Sequence, residues 1–173
     1  MAALEDTFTA LYRAEAPHVM KTLRRLGVRS ADVEDSAVEV FVALHRHWAQ
    51  YDPTRPARPW VRAFAVRVAA DYRKSARIRR EVADDGADAH DASPGADERL
   101  IDREKQRLVL EALDGIDPER REVFVLHELE ECPMPEVAQT LGVPLNTAYS
   151  RLRLGREEFA ASVRRIRMKR GER

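Results

Sequence analysis

A run of polar and basic side chains in the last third of the sequence carries groups that can hydrogen-bond a nucleic acid. The run comprises Asn146, Thr147, Tyr149, Ser150, Arg151, Arg153 and Arg156. Amide, hydroxyl and guanidinium groups can bond base edges and phosphates in the major groove of DNA. Ala148 and Leu152 interrupt the run four residues apart, which places them together on the opposite face of a helix. The spacing therefore predicts a helix with one buried face and one face open to DNA.

A tight turn and a second short helix precede this run. Val137, Ala138 and Leu141 have the spacing of the inner face of a helix. Gly142 permits the left-handed backbone that a tight turn between helices needs, and Val143 can fill the gap between the two helices. The pair predicts a helix-turn-helix unit that docks in the major groove. The alternative is an ordinary helical hairpin whose polar face contacts only water.

A proline-rich loop with aromatic and basic neighbours forms a second group of candidates. The stretch YDPTRPARP, residues 51–59, contains three prolines, so we expect a loop there and a helix that opens at Pro59. Aromatic rings can stack on unpaired bases at about 1–3 kcal/mol per base, while basic groups follow the strand's phosphates. The candidates for this contact are Tyr51, Arg55, Arg58, Trp60, Arg62, Arg67, Arg73 and Lys74. The alternative assigns Trp48 and Phe64 to the core and the basic run to a solvated helix face.

Acidic side chains gather at the start of another predicted helix. They are Asp32, Glu34, Asp35 and Glu39. Carboxylates without a histidine close by are weak evidence for a metal, and acids at a helix N-terminus are also favoured by the helix dipole. His45 and His47 lie two residues apart on the same helix and point in different directions, so we expect no metal and no cofactor. Cys132, the single cysteine, fits a reducing compartment because it cannot form an internal disulfide.

Helical spacing of apolar residues dominates the sequence, so we predict an all-α protein with two domains. Residues 1–80 carry 15 basic and 9 acidic side chains, and residues 99–173 carry 15 and 14. Residues 81–98 carry 7 acidic side chains, no Lys or Arg and almost no large apolar residue, which predicts a flexible linker between the domains. No run approaches the roughly 18–20 apolar residues of a membrane span, so we expect a cytoplasmic protein.

Both halves contain motifs of one known family. The stretch IDPERREVFVLHELEECPMPEVAQTLGVPLNTAYSRLRLGREEF resembles region 4 of bacterial RNA polymerase sigma factors, in the extracytoplasmic-function group of the sigma-70 family. SADVEDSAVEVFVALHRHWAQYDPTRPARPWVRAFAVRVAADYRKSARIRR resembles region 2 of the same group, and the resemblance spans the chain from about Phe8 to Phe159. The chain differs from the residues usual in this family at Val38, Ala57, Asn146, Tyr149 and Leu154 to Arg156. These differences bear on which promoter sequence would be recognised and not on membership of the family.

The resemblance implies a role for each group of residues. The acidic helix would bind core RNA polymerase, the helix-turn-helix would recognise the −35 element, and the proline-rich loop would hold the melted −10 element. Region 2 would occupy residues 1–80 and region 4 residues 99–173. The implied partners are core polymerase and promoter DNA, and an anti-sigma factor is a further partner that the family allows. The implied function is initiation of transcription, without enzymatic activity.

Two other classes of protein remain as alternatives. A free-standing helix-turn-helix regulator would explain residues 118–156 but not the aromatic and basic loop, and it would need a dimerisation element that the sequence does not suggest. A nuclease using carboxylate-bound metal would need clustered ligands, whereas the acids are spread along the sequence. Binding of promoter DNA by the purified protein alone would favour the free-standing regulator.

Overall fold

The computed structural model describes the backbone of residues 2–82 and 97–171 and the side chains of residues 7–78 and 104–171. Regular secondary structure in these residues is helical, with no strand. The chain divides into two compact units, residues 1–89 and 90–173. The prediction of an all-α protein with two helical domains is confirmed. The predicted linker, residues 81–98, lies outside the described residues except for two residues at each end, so its flexibility stays a prediction.

The first unit contains three long helices, and each packs against the other two. They are α1 (Ala2–Arg25), α2 (Val33–Arg46) and α3 (Ala57–Val82). The buried side chains recur at three- and four-residue steps and include Val19, Leu23, Leu26, Val33, Val40, Leu44, Val61 and Ala69. Gly27 follows α1 with a φ of +99°. A glycine adopts this left-handed backbone without a steric cost, so it ends the helix.

Helix α3 begins at Ala57, two residues before the predicted start at Pro59. A proline fits this first turn because the first N–H groups of a helix have no intrahelical acceptor. The loop before it is held by Asp52, whose carboxylate accepts from the Thr54 hydroxyl at 2.6 Å and from the Thr54 N–H at 2.9 Å. The hydroxyl bond, and then the N–H bond, lowers the pKa of Asp52 because both favour the charged carboxylate.

The second unit is built around one long helix. Its helices are α4 (Asp97–Leu113), α5 (Pro118–Phe124), α6 (Met134–Leu141) and α7 (Leu145–Arg170). Helices α4, α5 and α6 all pack on α7. Helix α5 continues into a π-helical turn, Val125–Leu129. Helix α7 therefore forms the centre of this unit and carries the residues predicted to contact DNA.

Local contacts fix the start of α5 and the end of α6. The Asp117 carboxylate accepts from the N–H groups of Glu119 and Arg120 at 3.1 and 3.4 Å, which caps α5. Gly142 has a φ of +66°, and the Val143 N–H donates to the Ala138 carbonyl at 3.0 Å. The predicted left-handed turn between α6 and α7 is confirmed.

Helices α5 and α7 approach most closely at Gly155. A Cβ added there would lie 3.2 Å from the Arg120 carbonyl oxygen and 3.5 Å from the Phe124 Cβ. One turn further along α7, the ring of Phe159 stacks on that of Phe124 with centroids 4.8 Å apart. The absence of a side chain at residue 155 therefore lets the two helix backbones come together.

Candidate nucleic-acid and polymerase interfaces

The N-terminal part of α7 presents the uncharged side chains predicted to contact DNA. Three of them are exposed, namely Asn146, Tyr149 and Ser150, and Thr147 is partly buried. Ala148 and Leu152 lie in the core on the opposite side of the helix. The division into a buried and an accessible face is the one expected from the four-residue spacing, and it supports a helix that can dock by its outer face.

Each of the three arginines predicted for this face forms an ion pair with a glutamate of the same unit. The pairs are Arg151 with Glu119, Arg153 with Glu157, and Arg156 with Glu128. The Arg153 pair lies within α7 at 2.7 Å. Glu119 belongs to α5 and Glu128 to the π-helical turn, so the other two pairs join different segments. The positive charge of the predicted DNA-contacting face is thus largely neutralised inside the unit.

A second basic surface lies on the C-terminal half of α7, where the sequence predicted no site. Its exposed bases are Arg164, Arg165, Arg167 and Lys169. Within residues 104–171 none of these four forms an ion pair with a carboxylate. Met168, which is 79% exposed, lies among them in a shallow depression of about 490 Å³. Exposed bases without a carboxylate partner therefore lie beyond the predicted DNA contacts on α7.

Four aromatic side chains of the first unit pack in series around the proline-rich loop. The Trp48 and Tyr51 rings stack with centroids 4.7 Å apart and an interplanar angle of 22°. Tyr51 lies 5.2 Å from Trp60, which lies 5.3 Å from Phe64. All four are partly exposed, so Trp48 and Phe64, which the alternative interpretation assigns to the core, keep part of their surface accessible. We call these four residues the aromatic cluster.

Of the predicted basic residues, Arg67 contacts the aromatic cluster, and Arg55, Arg58 and Lys74 are exposed in the same unit. The Arg67 guanidinium lies 5.9 Å from the centre of the Phe64 ring, a cation–π distance. Arg55 pairs with Asp52 at 3.3 Å, and Arg58 pairs with Glu15 at 3.2 Å.

The structure contradicts one of the predicted DNA contacts and gives a second an internal partner. Arg62 is only 7% exposed, so it lies within the unit and not on its surface. Arg73 donates from Nη1 to the main-chain carbonyl of Leu26, near the end of α1. Positions 62, 66, 69 and 73 follow a helical spacing that includes the buried residues Val66 and Ala69. Arg62 is therefore buried in the inner stripe of α3, whereas Arg73 stays partly exposed and is tied to the end of α1.

The acidic group on α2 also separates into two parts. Asp32 accepts from the Tyr72 hydroxyl at 2.5 Å and from Arg29 Nε at 2.9 Å, so it joins the start of α2 to α3 and does not form part of a free acidic face. The hydrogen bond from Arg29 to Asp32 raises the pKa of Arg29. Burial, and then the hydrogen bond to Asp32, raises the pKa of Tyr72.

The remaining acids of α2 are exposed beside apolar side chains. The exposed acids are Glu34, Asp35 and Glu39. Val38 and Val42 on the same helix are 55% and 43% exposed. They line a groove of about 340 Å³ together with Phe8, Tyr12, Phe41, His45 and Arg46. This face combines negative charge with accessible apolar surface, as protein–protein contact surfaces do.

Metal ligands do not assemble in the part of the chain that the structure describes. No three His, Cys, Asp or Glu side chains come close enough there to hold an ion. The His45 ring packs edge-on against Phe8 at 5.1 Å, whereas the His47 ring lies 5.4 Å from that of Phe64. Within the same residues no helix has the length and apolar character needed to cross a membrane.

Known families match both units, and in the order that the sequence resemblance implies. Residues 11–80 match the family described as Sigma-70 region 2, and residues 106–159 match Sigma-70, region 4. The ECF RNA polymerase sigma factor SigE of Mycolicibacterium smegmatis is 30% identical over 159 residues, which cover 91% of this chain and 62% of SigE. This chain belongs to the extracytoplasmic-function (ECF) group of the sigma-70 family.

Other ECF sigma factors differ in how much of their length the chain spans. The probable ECF sigma factor SigI of Mycobacterium tuberculosis is 30% identical and covers 91% of this chain. The chain spans about three fifths of the length of SigE and SigI, 62% and 58% respectively. It spans 88% of the sigma factor CarQ of Myxococcus xanthus, which is 28% identical over 155 residues.

Two solved sigma factor structures share the fold of this ECF chain. CnrH, solved in complex with the cytosolic domain of CnrY, has a TM-score of 0.65 and 23% identity, and covers 91% of this chain and 87% of its own. RpoE of Bartonella quintana, solved with the anti-sigma factor NepR, has a TM-score of 0.69 and 14% identity, and covers 91% and 97%. At these identities the likeness concerns the fold alone.

The sequence did not indicate the carboxylates that hold the arginines of region 4. Glu119 lies 32 residues before Arg151, and Glu128 lies 28 residues before Arg156. Because a helical repeat relates only residues three or four apart, no periodic pattern joins these partners. Glu15 was also missed as the partner of Arg58, although an acid in the apolar stripe of α1 is a usable signal of a buried ion pair.

Proposed function

We propose that this ECF chain binds core RNA polymerase, directs it to promoters through −35 and −10 contacts, and promotes opening of the DNA strands. The proposal is carried by one observation, namely that each of the two family regions presents a different surface that suits DNA. A helix-turn-helix with an accessible outer face lies in region 4, and a partly exposed aromatic cluster flanked by bases lies in region 2. One surface suits a duplex and the other suits unpaired bases.

The −35 element would bind the outer face of α7. We assign this contact to Asn146, Thr147, Tyr149, Ser150, Arg151, Arg153 and Arg156, within a region 4 domain of residues 99–173. The polar residues are accessible or partly so, and amide and guanidinium groups can contact base edges in a major groove. Each arginine would bond the DNA either in place of its glutamate partner or in addition to it.

The melted −10 element would bind the aromatic cluster, in a region 2 domain of residues 1–80. We assign this contact to Tyr51, Arg55, Arg58, Trp60, Arg67, Arg73 and Lys74, and withdraw Arg62 because it is buried. Rings that are already stacked on one another and partly exposed can accept a base with little loss of side-chain freedom. The exposed bases near them can follow the strand's phosphates.

Core polymerase would bind the exposed side of α2. The proposed contacts are Glu34, Asp35 and Glu39 around the apolar residues Val38 and Val42. Accessible valines give such a surface apolar area, and the acids select a basic partner. Asp32 leaves this set because Tyr72 and Arg29 already hold its carboxylate.

Control by an anti-sigma factor is part of the proposal. Two sigma factors of the same fold were solved with partners, namely the anti-sigma factor NepR and the cytosolic domain of CnrY. We place the chain in the cytoplasm, where polymerase acts. The acidic linker of residues 81–98 would join its two domains. Its role is to recruit and position the polymerase without enzymatic chemistry of its own.

Transcription in vitro tests the proposed function directly. Core polymerase plus this chain should start transcription at a limited set of sites on fragmented genomic DNA, and core alone should not. Mapped start sites would then reveal shared −35 and −10 sequences. A gel-shift with the purified chain alone is the companion experiment. Strong binding without core, together with no core-dependent start sites, would favour a free-standing regulator and contradict the proposal.

A further inference from the structure

Region 4 contains an ion pair whose two partners differ sharply in exposure. The Arg151 side chain is 22% exposed, whereas that of Glu119 is 68% exposed. The arginine lies on α7 among the proposed −35 contacts, and the glutamate lies in the first turn of α5. A DNA strand that approaches Arg151 therefore meets the negative charge of Glu119 as well.

Only one of the guanidinium donors is used in this pair. Arg151 donates from Nη2 to Glu119 Oε2, and an arginine has five N–H donors. By contrast, Arg156 donates from both Nε and Nη2 to Glu128 Oε1, at 2.8 and 2.5 Å. Arg151 thus keeps enough donors for a bidentate contact with a guanine while Glu119 still holds it.

We propose that Glu119 is a positioning residue that fixes the Arg151 guanidinium for contact with a base of the −35 element. The proposal rests on the proposed function of α7 in recognising duplex DNA. A held side chain loses less rotational freedom on binding, which favours the correct base. The Glu119 carboxylate also repels nearby phosphates, which disfavours contacts that depend on charge alone.

The position of Glu119 is set by the packing around it. The cap by Asp117 fixes the first turn of α5, and the close approach of α5 to α7 at Gly155 lies one turn beyond Arg151. The Asp117 N–H also donates to Glu158 of α7 at 3.1 Å. Glu119 is therefore attached to the same rigid crossing that carries its partner, as a positioning group requires.

Replacement of Glu119 by Gln should change base preference and general affinity in opposite directions. Loss of positioning should weaken the preference at one −35 base pair by about 1.4- to 5-fold, the range that corresponds to one exposed ion pair. Loss of the carboxylate should at the same time raise affinity for arbitrary duplex DNA. It should also steepen the slope of log affinity against log salt by up to about 0.9, because Arg151 can neutralise one more phosphate.

The test uses holoenzyme assembled from core polymerase and the full chain, with a pool of duplexes randomised over the upstream element. Bound and unbound pools are sequenced for wild type, Glu119→Gln, Arg151→Ala and the double variant. The matched control is Glu111→Gln, which removes the same charge from the pair of Glu111 with Arg170, outside the proposed DNA contacts. The affinity of each holoenzyme for one arbitrary duplex is measured at several salt concentrations.

Arg151→Ala should abolish preference at one base pair, about 5- to 150-fold for a bidentate contact, and Glu119→Gln should weaken preference at that same base pair. In the Arg151→Ala background Glu119→Gln should have no further effect on preference. If Arg151→Ala changes no base preference, the proposed role of Arg151 fails. If it does but Glu119→Gln leaves that preference intact, or acts like Glu111→Gln, the positioning role is overturned. Thermal unfolding of each variant identifies a purely structural tie, which would lower stability without a change in preference.

Discussion

The hydroxyl of Tyr72 offers a sharp test of how region 2 is held together. It donates to Asp32 at 2.5 Å, and Arg29 Nε lies 3.0 Å from it and 2.9 Å from Asp32. These three groups join the segment before α2 to helix α3. Replacement of Tyr72 by Phe removes one hydroxyl and keeps the ring, so the change isolates the hydrogen bonds from the packing.

The expected cost follows from the exposure of the partners. A hydrogen bond to a charged group contributes about 1.5–3 kcal/mol. The Asp32 side chain is 32% exposed and that of Arg29 is 59% exposed, so water screens the interaction and Arg29 still pairs with Asp32 in the variant. We therefore expect a loss of about 1 kcal/mol in the free energy of unfolding. In a unit of this size that corresponds to about 4–8 °C in Tm.

Tryptophan fluorescence can follow this unit by itself in the intact chain. Both tryptophans, Trp48 and Trp60, lie in the first unit. Urea unfolding of wild type and Tyr72→Phe should give transitions of similar slope and a lower midpoint for the variant. Equal midpoints would refute the assignment of Asp32 to an internal network. If Asp32→Asn weakened binding to core polymerase at unchanged stability, Asp32 would belong to the proposed polymerase surface.

The same hydroxyl gives the prediction a pH dependence. The pKa of Tyr72 is raised above its ordinary 10.0, first by burial and then by the bond to Asp32. The folded protein thus holds this proton more tightly than the unfolded chain does. The stabilisation is complete below about pH 10 and is lost as the pH rises through the folded-state pKa. The difference in stability between wild type and Tyr72→Phe should therefore shrink above about pH 10.

Three further changes test other surfaces. Reversal of Asp35 and Glu39 to Lys should weaken binding to core polymerase in a titration by about 0.2–1 kcal/mol per site, and more if the interface excludes water, while circular dichroism stays unchanged. Trp60→Ala should lower the stability of region 2 by about 2 kcal/mol, because the ring is partly buried against three others, and it should slow promoter opening measured by permanganate reactivity. Trp60→Phe should restore stability. Normal promoter opening by a stable Trp60→Ala protein would contradict the proposed role of Trp60 in melting. Gly155→Ala should destabilise region 4 in thermal unfolding. The added methyl group would lie 3.2 Å from the backbone carbonyl oxygen of Arg120, which costs about 1–3 kcal/mol against a gain of about 1 kcal/mol in helix propensity. A higher Tm would show that α5 can move away.

Features that depend on neighbours in the chain could be predicted from the sequence. The left-handed turn at Gly142 is local, because the backbone angle of a single residue decides it. The burial of Val137, Ala138, Ala148 and Leu152 follows from helical spacing alone. The first turn of α3 was placed two residues late because a proline marks the first turn without fixing its position in it.

Features that depend on distant partners could not be predicted. Asp32 was assigned to an open acidic face, but its partner Tyr72 is 40 residues away. Arg62 is basic and close to the loop, yet its position on α3 falls on the buried stripe, and Arg73 donates to the main-chain carbonyl of Leu26, 47 residues away. Charge and spacing identify which residues could bind DNA, whereas tertiary packing decides which of them are already used inside the fold.

The close approach at Gly155 has a consequence for how this helix can change. Because an α-helix turns about 100° per residue, one residue inserted between Leu152 and Gly155 would rotate every side chain of α7 before the insertion by that angle relative to α5. Such a change would carry Asn146 out of alignment and bring Ala148 towards the solvent. Substitutions in the same stretch leave the rotational phase intact. Gly155 thus fixes the length of the stretch before it, whereas the outward residues of that stretch can be replaced without a change in the rotation of the helix.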